Sequence, residues 1–301
     1  MILNPGRGRH RIALSVSEQV NYALAMADLR YPAVFDHKDA HRFRIGLAPI
    51  ALADWFEGAF DAADGDPAVR KAAVFAEHPE LCWGEVEGSQ AGQAEVAELM
   101  AAHFGVEVSR EAPPLRWAAG LVDDDLCLME HHNGAWTLTA ASLCAPSFFS
   151  AAEVVGKPLS ALHGPVPGFA ATLLPRVSRI FDALAVDAIV ERRNWSVVAS
   201  GELFLPSSVP VRARQPLITD PGRELFVRME RQTLRRLPRT GGVLFTIRIW
   251  RHRLEDLRGD PGRLAAFAAA WDGVMGQAGE EFRDYKGLAA LDPLVRGFLV
   301  G

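Results

Sequence analysis

One stretch of this 301-residue chain, Leu225 to Trp250, admits few folds. It reads LFVRMERQTLRRLPRTGGVLFTIRIW, two runs of strand-forming residues on either side of Pro238-Arg239-Thr240-Gly241-Gly242. Runs of this kind, joined by a short Gly-containing connection, specify a β-hairpin. In the second arm Val243, Phe245, Ile247 and Ile249 recur at period two, with Leu244, Thr246 and Arg248 between them, so that arm has two distinct faces. The first arm alternates as Leu225, Val227 and Met229, and the same parity continues as Arg231, Thr233 and Arg235. If the strand persists, its apolar face becomes cationic. If the chain turns helical there, Arg231 and Arg235 still share a face at spacing four. Either way two guanidiniums sit beside the core. The plainer reading of a basic run is a solvated turn; the sharper one is recognition of a carboxylate or phosphate, for which the planar guanidinium is suited.

The rest of the composition narrows the classes. Hydrophobic residues at 49% and charged residues at 23% describe an ordinary globular chain. A net charge of -5 argues against general nucleic-acid binding. Cys82, Cys127 and Cys144 are scattered with no CxxC, which argues against a disulfide framework and against a zinc or iron–sulfur site made within the chain. A reducing, cytoplasmic compartment is the simplest setting. The first residues lack the apolar core of a signal peptide, and no run of 18 apolar residues offers a membrane span. No GxSxG, P-loop, HExxH or GxGxxG is present, so redox chemistry here would draw its electrons from elsewhere.

Taken in order, Ser17 caps a helix to about Leu29. Pro49 sits near a helix start, and Trp55 reads as core. Residues 50–105 are helical in composition, with breaks at Gly65-Asp66-Pro67 and His78-Pro79, a loop-like stretch through Gly84, Gly88 and Gly92, and a last helix from Ala94 to Phe104. His78 and His103 read as packed or surface residues. From Leu115 the period changes. Leu126–Met129 and Trp136–Ala140 flank Asn133-Gly134, a strong hairpin signal. His131 and His132 precede that turn; neighbours on a strand point to opposite faces, so they are poor joint metal ligands. A short helix through Leu159 and Leu162 brings His163 to its end, and Pro165 and Pro167 stiffen the exit. A helix begins near Pro175, with Leu174, Val177, Ile180, Phe181 and Leu184 as its buried stripe. Ser196 to Leu205 reads as a strand and Pro206 to Pro216 as a loop. Asp260-Pro261 opens a helix through Met275, and Asp292-Pro293 opens a last short one. The expectation is an α+β fold in one domain, residues 1–301, with a helical segment 1–112 packed on a sheet-containing core 113–301.

Several blocks together carry a resemblance. They are Gly46-Leu47, Pro49 and Asp54-Trp55; Asp125-Leu126-Cys127-Leu128-Met129 with Trp136 and Leu138; Gly156-Lys157-Pro158-Leu159, His163 and Pro165-Val166-Pro167; Glu191 to Ser196; Glu230 to Gly241 with Leu244 to Arg248; and Tyr285-Lys286-Gly287. Between Phe43 and Gly287 the chain resembles the haem-dependent oxidative N-demethylase family, in its haem-binding α-subunit. The resemblance implies a PAS-like antiparallel sheet with flanking helices enclosing a haem b pocket. It implies oxidation of a small methylated amine, such as dimethylamine, with O₂ to an amine and formaldehyde. It also implies a separate NAD(P)H reductase carrying flavin and an iron–sulfur centre. By this resemblance His163 is the axial iron ligand; by its residues alone it caps a helix C-terminus. Arg193 and Asn194 would hold a haem propionate or face substrate, and Trp195 would line the pocket. On electrostatic grounds Arg231 and Arg235 would pair with propionates. Glu230, acidic and within a matched block, is the candidate to meet a cationic amine, since an unpaired ammonium is costly to bury; its plainer role is an ion pair with a neighbouring arginine. The chain departs from the family at Phe148-Phe149-Ser150-Ala151-Ala152, where a Trp and a basic residue are expected. A PAS-like haem sensor without turnover is the alternative, and a haem-free scaffold subunit a third.

Overall fold

The structure, a computed structural model, describes residues 46–56, 66–162, 173–186, 188–277 and 279–301. The helix expected from Ser17 to Leu29 and the segment containing His163, Pro165 and Pro167 lie outside these residues. No described helix is long and apolar enough to cross a membrane.

Seven strands make one sheet: β1 (Ala48–Ile50), β2 (Trp83–Glu85), β3 (Asp125–His132), β4 (Ala135–Ser142), β5 (Ile189–Val198), β6 (Phe226–Arg236) and β7 (Val243–Arg253). Their order is β1-β5-β6-β7-β3-β4-β2, and each pairing is antiparallel. The hairpin expected at Leu225–Trp250 is β6–β7, and it lies near the middle of the sheet. Its register runs unbroken from Phe226↔Arg253 to Arg236↔Val243. The first arm stays extended, so Arg231, Thr233 and Arg235 do continue the parity of Val227 and Met229. The Asn133-Gly134 hairpin also forms. Both residues have positive φ, 52° and 80°, which is what the twist of a two-residue connection requires.

Helices cover both faces: α1 (Pro67–Glu77), α2 (Pro79–Cys82), α3 (Gln90–Phe104), α4 (Pro114–Ala119), α5 (Ala151–Val154), α6 (Leu159–Leu162), α7 (Leu174–Ala183), α8 (Val209–Arg214), α9 (Pro221–Glu224), α10 (Pro261–Gln277), α11 (Glu280–Lys286) and α12 (Leu288–Val300). The alternation of β6 and β7 assigns the helices to faces. Leu244, Leu126 and Leu128 pack with Val96, Met100 and Leu115 of α3 and α4. Val227, Met229 and Trp250 pack with Phe267, Trp271, Leu291 and Val295 of α10 and α12. These two cores share one face. On the opposite face Leu234, Val243 and Met129 pack with Leu159 and Phe181, and with the partly buried Leu162, Leu174, Val177 and Ile180. The stripe expected on α7 is therefore the one buried, and Pro175 lies in its first turn.

Elsewhere the boundaries differ from expectation, each for a local reason. Pro49 lies in β1, an edge strand, where a missing N–H costs no ladder bond to a second neighbour. Helix α3 starts at Gln90 and includes Gly92, because the helix meets the sheet there: a Cβ on Gly92 would lie 2.4 Å from Glu130 Oε1 and 2.9 Å from Leu128 Cδ2. Strand β5 starts at Ile189, seven residues before the strand expected from Ser196, since its charged middle is stabilised by pairing with β6. Val209–Arg214 is helical, not loop. Pro293 falls inside α12, which starts at Leu288 after Gly287 in the left-handed conformation; the Asp292 carboxylate accepts from Trp271 Nε1 at 2.8 Å instead of opening a helix.

Candidate functional site

The unbroken registers of β5, β6 and β7 sort the side chains into two grids. On the face shared by α3, α4, α10 and α12, Trp195, Met229 and Trp250 form one rank. The next is Arg193, Arg231 and Arg248, three arginines directly opposite one another on adjacent strands. Glu191, Thr233 and Thr246 follow, then Ile189, Arg235 and Leu244. Like charges opposed across a ladder repel, so this rank requires counter-charges. Glu191 supplies them on one side: Arg193 Nε donates to its carboxylate at 2.9 Å and Arg231 Nε to its other oxygen. Arg231 also donates to the carbonyls of Trp55, at 3.0 Å, and Asp54. Arg248 pairs with Asp123 at 2.8 Å and lies 3.9 Å from Asp124. Burial raises Asp124 above its ordinary value against the pull of Arg248, Arg231 and Lys71. Arg231, Arg248, Asp123 and Asp124 are all buried. The Arg235 guanidinium lies 4.1 Å over the ring of Trp55, and Trp195 packs on Phe267 and Trp271. This face is closed by its own ion pairs between two cores, with Arg231, Arg248, Asp123 and Asp124 buried and Glu191, Arg193, Trp195 and Arg235 half-buried.

The other face is different. Its ranks are Asn194, Glu230 and Ile249; Arg192, Gln232 and Ile247; Val190, Leu234 and Phe245. Glu230 and Gln232 are half-buried although β6 is flanked on both sides, whereas Met229, Arg231 and Thr233 beside them are buried. The floor is polar along β5 and β6 and apolar along β7. Ile247 and Ile249 pack with Leu203 and Ala145, and the half-buried Phe149 and Phe245 join them. Helix α6 packs on this same face and ends at Leu162.

A rigid arm overhangs the floor. The Asp125 carboxylate accepts the N–H groups of Cys144, at 2.6 Å, and Ala145, at 3.0 Å. Arg228 grips the arm from below, its Nη2 donating to the carbonyls of Ala145, Pro146 and Leu203 at 2.8 to 3.0 Å. Phe148 N donates to Leu205 O at 2.7 Å. Phe148 has φ 71°, a strained value for a bulky residue that persists only where surrounding contacts impose it. The arm delivers Ser147. Arg228 Nε donates to Ser147 Oγ at 3.1 Å, and Ser147 Oγ donates to Glu230 Oε1 at 2.6 Å. Because the arginine has no lone pair to offer, the hydroxyl hydrogen is directed at the carboxylate. Gln232 Nε2 donates to the other oxygen, Glu230 Oε2, at 3.0 Å. Burial pushes Arg228 down to about 10, with Glu230 and Asp125 opposing.

Glu230 is therefore held by two neutral donors. Among the described residues no cation lies within ion-pair distance of it, so the plainer role foreseen for it is not what the geometry shows. Arg192 is its cationic neighbour on the floor. Burial lowers the Arg192 guanidinium, Glu230 opposes that, and Arg192 Nε is buried without a hydrogen-bond partner.

The residues singled out from the sequence thus divide. Asn194 and Glu230 lie on the half-buried face; Arg193, Trp195, Arg231 and Arg235 lie on the closed one; His163 is outside the described residues. Sequence reasoning passed over Arg192, Ser147 and Gln232. Period two, applied from Ile189 instead of Ser196, would have put Arg192 and Asn194 on one face. Nothing in the sequence points to Ser147, whose position depends on the arm. A concavity of about 700 Å³ lies apart from this floor, at the open end of the hairpin, among Arg214, Arg223, Arg251, Glu202 and Asp256. Phe226 is the one large apolar side chain among its lining residues, and it lacks the apolar wall of the Glu230 floor.

Among the described residues no three His, Cys, Asp or Glu side chains converge to hold a bare metal ion. Residues 75–295, well over half of the chain, match the family described as haem-dependent oxidative N-demethylase, alpha subunit-like. The chain belongs to that family.

Proposed function

We propose that the chain is the haem-carrying subunit of an oxidative N-demethylase acting on a small methylated amine of the dimethylamine kind, and that its substrate meets the Glu230 floor. The observation that carries this reading is the state of Glu230: a half-buried carboxylate, fixed by Ser147 and Gln232, with no cation paired to it, beside an apolar wall. Such a group favours an ammonium, which would otherwise lose its hydration uncompensated.

The residues fit a haem on two counts. A porphyrin iron brings four nitrogens and asks the protein for one or two axial ligands, so it needs no convergent ligand cluster. The buried, unpartnered Nε of Arg192 lies on the same face as Phe245, Ile247 and Ile249, across β6 from them, and so offers a cation facing an apolar wall, as the carboxylate edge of a haem requires. His163, following α6 on this face, would be the axial ligand. When bound, haem b would supply the oxidation of the N-methyl carbon by O₂ to formaldehyde, with two electrons from a separate NAD(P)H reductase bearing flavin and an iron–sulfur centre. The chain's own residues do the rest: Glu230 anchors the ammonium, Ser147 and Gln232 orient Glu230, and Phe149, Phe245 and Ile249 exclude water. Helices on both sides of an antiparallel sheet accord with a PAS-like fold in one domain. Buried free thiols at Cys82, Cys127 and Cys144 accord with a cytoplasmic setting.

The test is the absorption spectrum of the haem-loaded chain, with and without dimethylamine. A Soret band lost in His163→Ala and shifted by the amine supports the reading. A Soret band indifferent to amines favours a sensor, and no band after haem addition removes the haem.

A further inference from the structure

Among the described residues, the arginines of the central strands are engaged, with one exception on the Glu230 floor. Arg228 donates to four carbonyls and to Ser147. Arg236 donates to the carbonyls of Leu184 and Gly241 at 2.7 and 2.9 Å, and to Phe181. Arg193 and Arg231 share Glu191. Arg192, between Glu191 and Arg193 in sequence, points to the opposite face, and its buried Nε meets no acceptor. A buried guanidinium N–H left unpaired forfeits the full cost of its desolvation. A planar fork with an open edge is the geometry that binds a carboxylate bidentately.

Charge around the floor points the same way. Arg192, Arg228 and Lys286 all lie within electrostatic reach of Glu230. Loss of solvent lowers the Lys286 ammonium; Glu230 opposes that and Arg192 adds to it. Glu230 is the carboxylate that acts on Arg192, and it is already engaged by Ser147 and Gln232. A ligand carboxylate would meet Arg192 as a second counter-charge, while Glu230 takes the ammonium.

We propose that Arg192 is the seat for a ligand carboxylate, one rank along the sheet from the ammonium seat at Glu230. This rests on the reading of Glu230 as the amine anchor. The carboxylate has two possible sources, a propionate of the haem or the substrate's own carboxyl group; in the second case the substrate class is N-methylated amino acids, zwitterions bridging Arg192 and Glu230.

The experiment uses the full chain, haem-free and haem-loaded, as wild type, Arg192→Gln and Arg192→Lys, with thermal unfolding to confirm that each variant is folded. The Arg Nε ¹⁵N–H resonances are followed during titration with sodium acetate, which is neither amine nor porphyrin. The seat predicts an acetate-dependent shift of the Arg192 resonance, lost in Arg192→Gln. Titrations with N,N-dimethylglycine, dimethylamine and haem then separate the sources. About tenfold weaker N,N-dimethylglycine binding in Arg192→Gln, with dimethylamine unchanged, assigns the substrate carboxylate. About tenfold weaker haem uptake, with both amines unchanged, assigns the propionate. Arg192→Lys keeps the charge without the fork and retains part of either effect. If acetate leaves Arg192 unmoved, and haem and N,N-dimethylglycine bind Arg192→Gln as they bind the wild type, the seat is wrong. If acetate binds at Arg192 but the wild type takes up neither haem nor amine, the seat stands and the N-demethylase reading falls.

Discussion

The two faces of the same three strands use arginine in opposite ways. On the closed face Arg193, Arg231 and Arg248 stand in one rank and are met by Glu191, Asp123 and Asp124, with backbone carbonyls taking the remaining donors of Arg231. On the half-buried face Arg228 is spent holding the arm, Arg192 keeps an unpaired Nε, and Glu230 has only neutral donors. Residues 191 to 194 illustrate the point within four positions. Glu191 and Arg193 close the network on one side while Arg192 and Asn194 furnish the floor on the other. Charge in a buried sheet is a site only where it is left unanswered. A paired network is structure, and its removal is read in stability; an unpaired carboxylate or guanidinium is available to a ligand, and its removal is read in affinity.

The largest expected effect is at Arg231. Arg231→Ala leaves Glu191 short of its buried partner and strands the carbonyls of Trp55 and Asp54. We expect a loss of about 3 kcal/mol or more in urea unfolding, far beyond anything a substitution at Glu230 produces. The hairpin tip behaves like the closed face. Glu95, on α3, accepts the N–H groups of Arg239 and Thr240 at 2.6 and 2.8 Å and the Thr240 hydroxyl at 2.7 Å. Burial alone would raise Glu95, but these donors and the Arg239 charge outweigh it and hold the carboxyl below its ordinary value. A carboxyl depressed in the folded state stabilises fully above its unfolded value near 4.5 and loses that contribution as pH falls through the lower folded value. Glu95→Gln is therefore expected to cost about 2 kcal/mol at pH 7. Its deficit should shrink when the same urea titrations are run at acid pH; an equal deficit at both would remove the carboxylate from the account.

On the half-buried face the expected signs reverse. Glu230→Gln should unfold within about 1 kcal/mol of wild type yet bind dimethylamine about tenfold more weakly. Ser147→Ala removes the hydroxyl that passes the Arg228 dipole to Glu230. It should weaken dimethylamine binding roughly fivefold, about 1 kcal/mol, and Ser147→Thr should restore it. If Ser147→Ala and Ser147→Thr are equally weak, the arm matters for packing and not for the hydroxyl.

How much of this was legible beforehand follows from what each signal encodes. The β6–β7 hairpin, the Asn133-Gly134 turn, the stripe of α7 and the breaks at Pro67 and Pro79 were readable because periodicity and turn chemistry are local. Strand β5 was misplaced because Glu191-Arg192-Arg193-Asn194 is poor in strand formers, and only pairing with β6 makes it one. Helix α3 was cut short because Gly92 reads as a breaker until the sheet it touches is known. The candidate floor was legible only in part. Glu230 and Asn194 fall on the half-buried face; Arg231 and Arg235 follow the parity of Val227 and Met229 onto the closed face, and the sequence pattern does not fix which way Arg193 and Trp195 point. A one-residue difference in parity moves a side chain through the sheet, and Arg192 was passed over for its neighbour by that one residue.

The most direct test of the claim that the half-buried face is the ligand site is the affinity of the haem-loaded chain for dimethylamine, measured side by side in wild type, Glu230→Gln and Glu191→Gln. The two substitutions make the same chemical change on opposite faces of adjacent strands. If the half-buried face is the ligand site, Glu230→Gln binds about tenfold more weakly with stability kept, and Glu191→Gln loses stability while the folded protein binds dimethylamine as wild type does. Wild-type affinity in Glu230→Gln would contradict it.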